Sequence, residues 1–239
     1  APIGHQALFH PQAEAASALA AELMQSNFVL STFTNTHMAQ LKSENPYKWF
    51  QLYWQGCRKK SLTLIKQAEQ SGYRAIVITV DAPHVGIRDR ERKLFFQLPE
   101  EMQHPHTPTH LSFPDVSPSE SQLFQGLMQI APKWTDIAWV IANTHLPVIL
   151  KGILHPADAQ KAIDHGVSGI IVSNHGGRIV DTTIPPLVAL QKIRAIVPPD
   201  YPVLLDGGIR RGTDVFKAIA LGANAVLIGR PYIYGLATA

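Results

Sequence analysis

Three times along the chain the same pattern of positions recurs: a helix-like stretch, a glycine, a short apolar run, then a polar or glycine-rich end. The copies read KQAEQSGYRAIVITVDAP, QKAIDHGVSGIIVSNHGG and KAIALGANAVLIGRP. Gly72, Gly166 and Gly222 stand where a helix closes on a left-handed residue. The runs Ala75–Thr79, Gly169–Val172 and Ala225–Ile228 are continuous, short and β-branched, as strands buried on both faces are. Phe28–Leu30, Trp49–Tyr53, Val148–Leu150 and Val203–Leu205 read as further strands. Ala13–Gln25, Ser61–Gln70, Pro156–His165 and Thr213–Leu221 read as helices between them.

Strand–helix alternation means a parallel α/β fold, either an open doubly wound sheet or a closed barrel. The strand ends favour the barrel. Nearly all finish in a polar or glycine-rich group: Ser31, Gln51 with Tyr53, Thr79 with Asp81, Lys151, Ser173 with His175, Asp206, Gly229. A barrel brings every such end to one mouth, whereas an open sheet gathers only those beside its switch point. The expected fold is a (β/α)8 TIM barrel in a single domain over residues 1–239. Seven strands are countable, so the chain reads as a fragment lacking strand one and the last helix. The gap is expected between Phe28–Leu30 and Ala225–Ile228, with Ala1–Gly4 and Pro231–Ala239 beside it. Such a piece, expressed alone, is expected to be poorly soluble. The stretch from Asp89 to Lys133 breaks the rhythm, being polar and rich in Pro, His and Ser. It reads as a lid over the barrel mouth in preference to a tolerated surface insertion.

Composition narrows the partners. With 21 basic and 18 acidic residues spread along the chain, no nucleic-acid stripe forms, and no nucleic-acid partner is expected. Cys57 is the single cysteine; it excludes an internal disulfide, fits a cytoplasmic location and is expected to pack. No apolar run reaches membrane-spanning length. His104, His106 and His110 fall in the polar stretch and are expected to face solvent.

Candidate chemistry gathers at the strand ends. In SNHGGR, His175 closes a buried strand, two glycines allow a tight turn and close approach to a ligand, and Arg178 follows. Histidine as a residue type titrates near neutrality and suits a general base; an arginine can clamp a carboxylate through two N–H groups. A lone histidine would more often be structural, but here it comes with the arginine, the glycines and the mouth of the barrel. Gly207, Gly208 and Arg210 follow one strand, beginning at Asp206, and Gly229 and Arg230 follow the next; with a helix start near Gly212 or Thr213 they form a candidate phosphate cradle. Asp81 could orient His175 or equally cap a turn before Pro83. Lys151, ending a buried strand, could face developing negative charge or reach to the rim. Tyr53 could hydrogen-bond a substrate or be a rim aromatic.

These residues resemble the FMN-dependent 2-hydroxy acid dehydrogenases and oxidases, a family that includes glycolate oxidase, lactate oxidase and flavin-linked lactate dehydrogenases. APIG, LSTFT, FQLY, TVDAP, LKGI, SNHGGR, DGGIRRGTDVFKA and IGRP occur in the family's order from Ala1 to the C-terminus. The resemblance implies oxidation of a lactate- or glycolate-like L-2-hydroxy acid to the 2-oxo acid, with electrons passed to FMN. His175 then matches the base, Asp81 its partner, Tyr53 the tyrosine near the substrate hydroxyl, and Arg178 with Arg88 the carboxylate clamp. Pro2, Ile3, Ser31, Gln51, Thr79, Lys151 and Ser173 match positions around the flavin. Asp206, Gly208, Arg210, Gly229 and Arg230 match the ribityl-phosphate site. No metal is implied. The electron acceptor is oxygen or a quinone or cytochrome, and the assembly a homo-oligomer, a tetramer by resemblance. The sequence departs from the family at Ile87, where many relatives are basic, and in RIVD. Phe33 and Val85 fall where the substrate side chain lies. Another FMN- or phosphate-binding barrel, such as an FMN-dependent isopentenyl diphosphate isomerase, would explain the cradle but not His175 with two arginines. A truncated, non-catalytic barrel is the reading from outside enzymes.

Overall fold

The computed structural model describes residues 1–41, 47–82, 86–99, 102, 104–106 and 116–239. Seven parallel strands lie in sequence order: β1 (Phe28–Leu30), β2 (Lys48–Leu52), β3 (Ala75–Thr79), β4 (Val148–Ile153), β5 (Gly169–Val172), β6 (Val203–Leu205) and β7 (Ala225–Val226). Helices fill the crossovers: α1 (Ala13–Leu23), α2 (Arg58–Gln70), α3 (Asp89–Lys93), α4 (Met128–Ile130), α5 (Trp134–Asn143), α6 (Pro156–Asp164), α7 (Pro186–Arg194), α8 (Gly212–Ala220) and α9 (Arg230–Leu236). Gly72, Gly166 and Gly222 take φ of 78°, 76° and 101°, as their place after helices requires.

Period-two alternation sorts each strand between two cores. Ile76 and Ile78 of β3 join the large cluster shared with the helices, together with Phe50, Leu150, Ile170 and Leu205. The alternate residues Ala75 and Val77 join a small interior cluster with Val29, Ile149, Ile171, Leu204 and Leu227. Val29 belongs to the first strand and Leu227 follows the last, so the sheet must curl for them to share a cluster. Continuing the interior face one step toward the strand ends reaches Ser31, Gln51, Thr79, Lys151, Ser173 and Asp206, all buried. The periodicity that fills the barrel with small apolar groups thus floors its mouth with polar ones.

The outer strands of the sheet are β1 and β7, where the gap was expected. The first residues lie across it. The backbone nitrogen of Ala1 donates to the Ile228 carbonyl at 2.5 Å, Tyr232 Oη donates to the Ala1 carbonyl at 3.2 Å, and His5 N donates to the Phe33 carbonyl at 3.0 Å.

Several expectations need correction. Helical structure follows β7 after all, as the seven residues of α9. β4 runs on to Ile153, through a register shift between Lys151 and Ile153, while β7 stops at Val226. Helices α5 and α7 continue the expected alternation in stretches for which no helix range was named. Cys57 is exposed at the head of α2 and does not pack. The lid reading of 89–133 falls partly on residues outside those described; the described part holds α3, a π-helical turn at Gln122–Leu127, and α4. Val85 and His110 also lie outside the described residues. Among those described, no helix is long and apolar enough to cross a membrane.

His106 does not face solvent. It is 7% exposed, its Nε2 accepts the Met38 N–H at 2.8 Å, and its ring lies 4.6 Å from that of His37. His104 is also turned inward, its ring 4.7 Å from that of His5. Burial, and then the nearby His37, pulls the His106 imidazole from 6.5 down to about 4. Its folded pKa lies below its unfolded one, so between these values the unfolded chain binds the extra proton. Stability from this residue is complete above pH 6.5 and is lost as pH falls toward 4. The melting temperature should therefore fall over that window, and His106→Gln, which keeps an acceptor but does not titrate, should flatten the decline. Equal slopes in melts of the two proteins would refute the assignment.

Candidate active site

Asp81 follows β3 and His175 follows β5, and the curl of the sheet brings them together across the mouth. His175 Nδ1 lies 2.9 Å from Asp81 Oδ1. A carboxylate only accepts, so Nδ1 carries a hydrogen toward Asp81 and the ring presents Nε2 on its other side. Tyr53 Oη stands 3.3 Å from that Nε2. Burial first, and then the negative charge of Asp81, raises the Tyr53 phenol above its ordinary pKa, so it is a neutral donor. His175 itself has φ of 57° and is followed by Gly176 and Gly177 at 66° and 72°. This left-handed run turns the chain back at the strand end, and the Ser173 hydroxyl braces it by accepting the His175 N–H at 3.0 Å.

Two residues that the sequence did not single out set this geometry. Thr32 Oγ1 donates to the Gln51 carbonyl at 2.6 Å and accepts the Tyr53 N–H at 2.9 Å, fixing where the tyrosine leaves β2. Gly152 has φ of 113°, and a Cβ built on it would fall 2.5 Å from the Asp81 Cβ. Only a residue without a side chain allows Asp81 to sit there. The glycine in LPVILKGI was the available signal, masked by the adjacent lysine.

The floor is a chain of hydrogen bonds. Ser31 Oγ donates to Gln51 Oε1 at 3.3 Å, and Gln51 Nε2 donates to Thr79 Oγ1 at 2.9 Å. Lys151 Nζ donates to Ser173 Oγ at 2.9 Å and pairs with Asp206 Oδ2 at 3.1 Å. Asp206 Oδ1 is buried with no partner among the described residues. Lys151 therefore does not reach to the rim; its side chain is 4% exposed.

Beyond Asp206 opens a cleft of about 390 Å³, whose lining includes Gly176, Gly177, Gly207, Gly208 and Arg230. Arg230 Nη2 donates to the Gly176 carbonyl at 3.4 Å, tying the two glycine-rich loops together. The remainder of the expected cradle is less concentrated. The backbone N–H groups of Arg210 and Arg211 are both taken by Asp214 Oδ2 at 2.9 Å, so the head of α8 is capped by its own carboxylate. The Arg210 guanidinium rests on the Ile209 carbonyl, and Gly229 packs toward Ile3 and Ala1. Asn174 and Lys217 line the cleft without having been anticipated.

Arg88 and Arg178 meet near the mouth, sharing the carboxylate of Glu91 at 3.2 Å each. Phe33 lies against Tyr53, with ring centroids 5.2 Å apart, and against His5 and His104.

The model of the FMN-dependent dehydrogenase family matches residues 1–239. The chain belongs to that family. An L-lactate oxidase of Roseobacter sp. is 45% identical over 242 residues, covering 99% of this chain and 64% of that protein. A 4-hydroxymandelate oxidase of Amycolatopsis orientalis is 42% identical over 248 residues, covering 100% of this chain and 68% of that protein. Among solved structures, a mandelate oxidase mutant with (S)-mandelic acid superposes with a TM-score of 0.86 at 40% identity, over 100% of this chain and 66% of that one. Another, with the C4a-OH-FMN adduct, gives 0.88 at 40% identity, over 100% and 67%. The chain thus spans 64% and 66% of the first two curated relatives it matches.

The residues fit the family's flavin. A polar floor one interior layer deep suits a flat, hydrogen-bonding ring, and Asp206 Oδ1, without a partner among the described residues, leaves an acceptor that a hydroxyl could use. Arg230 with Gly208 offers a cation and open backbone in the adjoining cleft for a phosphate.

Proposed function

We propose that the protein containing this chain oxidises a 2-hydroxy acid of the lactate, glycolate or mandelate type to its 2-oxo acid. The observation that carries the reading is His175, held by Asp81 at 2.9 Å with its free Nε2 beside Tyr53. Ser31, Gln51, Thr79, Lys151 and Ser173 would hold the flavin ring, with Pro2 and Ile3 alongside. Asp206, Gly208, Arg210, Gly229 and Arg230 would hold its ribityl phosphate. Bound there, FMN supplies the acceptor for two electrons. Arg88 and Arg178 take the substrate carboxylate and so fix the reacting carbon at the mouth. His175 Nε2 accepts a proton from the substrate, and Asp81 stabilises the imidazolium this creates. Tyr53 donates to the substrate hydroxyl oxygen. Lys151, buried and paired with Asp206 at 3.1 Å, would be among the groups that hold the ring, where a lysine can offset negative charge. Oxygen is the proposed final acceptor, which the names of the oxidase relatives support.

The test is anaerobic mixing of the full-length yellow protein with lactate, glycolate and mandelate, followed by admission of air. Bleaching by at least one acid, then recovery of colour with peroxide formed, is expected. A flavin that none of them bleaches would end this reading. Arg178→Lys keeps the charge but loses the planar fork. Half-saturation for flavin reduction should rise by roughly 10-fold or more, the scale on which a charge-assisted hydrogen bond acts, while flavin affinity stays within about twofold. An unchanged substrate dependence would remove Arg178 from the clamp.

A further inference from the structure

The carboxylate of Glu91 occupies both arginines at once. Its Oε2 lies 3.2 Å from Arg88 Nη1, and its Oε1 lies 3.2 Å from Arg178 Nη2 and 3.4 Å from Arg88 Nη1. Glu91 belongs to α3, three residues beyond Arg88, whereas Arg178 comes from the loop after β5. Two guanidinium groups from separate loops thus converge on one carboxylate, the arrangement a hydroxy acid would require of them. Meanwhile Arg88 Nε is buried with no partner among the described residues. The pairing with Glu91 therefore does not engage every donor of Arg88.

The contact is open to water: the side chains of Arg88, Glu91 and Arg178 are 36%, 39% and 44% exposed. Ion pairs so exposed are weak and screened by salt. They are displaced readily by a ligand that offers the same charge with better placed oxygens.

We propose that Glu91 is a built-in competitor for the substrate carboxylate. It closes the two arginines on each other while the site is empty, and a 2-hydroxy acid binds by displacing it. This rests on the assignment of Arg88 and Arg178 as the substrate's carboxylate clamp. Glu91 then sets the affinity for acids without touching the base: neutral analogues of the substrate cannot displace it, and monoanions bind less tightly than the bare arginines would allow.

The probe is oxalate, an unreactive acid anion, titrated into the full-length flavin-loaded protein and followed by the flavin absorbance. Glu91→Gln keeps the size of the side chain and removes its charge. Oxalate should bind the variant about 3- to 10-fold more tightly, the factor expected if the closed arrangement holds roughly 70–90% of the unliganded protein. The substrate KM should fall by a similar factor with kcat little changed. Glu91→Asp, too short to reach both arginines, should fall between the two. Unchanged or weaker oxalate binding in Glu91→Gln, with the flavin spectrum intact, overturns the proposal, because Glu91 would then be aligning the arginines. If oxalate perturbs the flavin in neither protein, the clamp assignment itself fails and takes the proposal with it.

Discussion

Replacing His175 with glutamine is expected to leave flavin bound and to slow its reduction by substrate about 10²- to 10⁴-fold, the usual worth of a positioned general base. The separation follows from the layout. Asp206 and Gly208 follow β6 and Arg230 opens α9, and none of the hydrogen bonds described for them passes through the imidazole of His175. Glutamine can still donate toward Asp81 Oδ1, so the loop should hold its shape, but it has no basic nitrogen to present beside Tyr53. Rapid anaerobic mixing measures the reduction rate, and fluorescence titration measures flavin affinity. Near-normal reduction in the variant would show that the proton goes elsewhere.

The second large effect is expected at a residue that touches no substrate. Gly152→Ala places a Cβ 2.5 Å from the Asp81 Cβ and 2.9 Å from the Asp81 nitrogen, at a backbone φ of 113° that alanine rarely adopts. Either the end of β4 or the Asp81 loop must move. Backbone strain of this kind costs about 1–3 kcal/mol, and any shift of Asp81 removes the acceptor that orients His175. The variant should melt several degrees lower and turn over at least tenfold more slowly. Because Lys151 is the neighbouring residue, its flavin spectrum should change as well. A variant with wild-type melting and turnover would mean that the close approach of Gly152 to Asp81 does not govern the site.

Most of the barrel could be read from short continuous apolar runs, because strands buried on both faces leave an unbroken apolar signature. The three glycine-closed repeats marked β3, β5 and β7 at once. Helices α5 and α7 escaped notice for opposite reasons. Trp134–Asn143 is apolar on most sides and follows directly on the irregular insertion, whereas Pro186–Arg194 begins with proline, which reads as a loop until its role at a helix start is considered. The residues of the site stood out because charged and polar groups are conspicuous at the ends of apolar runs. What supports them did not. Thr32 acts through a hydroxyl that any loop threonine could carry, and Gly152 acts by lacking a side chain, which leaves no positive sign in the sequence. His106 was misjudged because a polar neighbourhood in the chain says nothing of what folds over it.

The distances along the chain within the site have a consequence for how the protein is made. Every strand pairs with its neighbour in sequence, so the sheet can assemble in the order of synthesis. The site cannot. Asp81 and His175 are 94 residues apart, and Tyr53 and His175 are 122 apart. At roughly 5–20 residues per second on the ribosome, Asp81 waits on the order of 5–20 s for its partner. During that time β3 is already available to pair, while β5, β6 and Leu227 just after β7, which complete the interior cluster, have yet to emerge. The nascent chain thus exposes Ala75–Thr79, a run of five residues that are all buried in the finished fold, with a growing sheet edge beside it. Chaperone capture should accordingly be strongest on ribosome-bound chains arrested between β3 and β5, and should fade once residue 175 has cleared the exit tunnel.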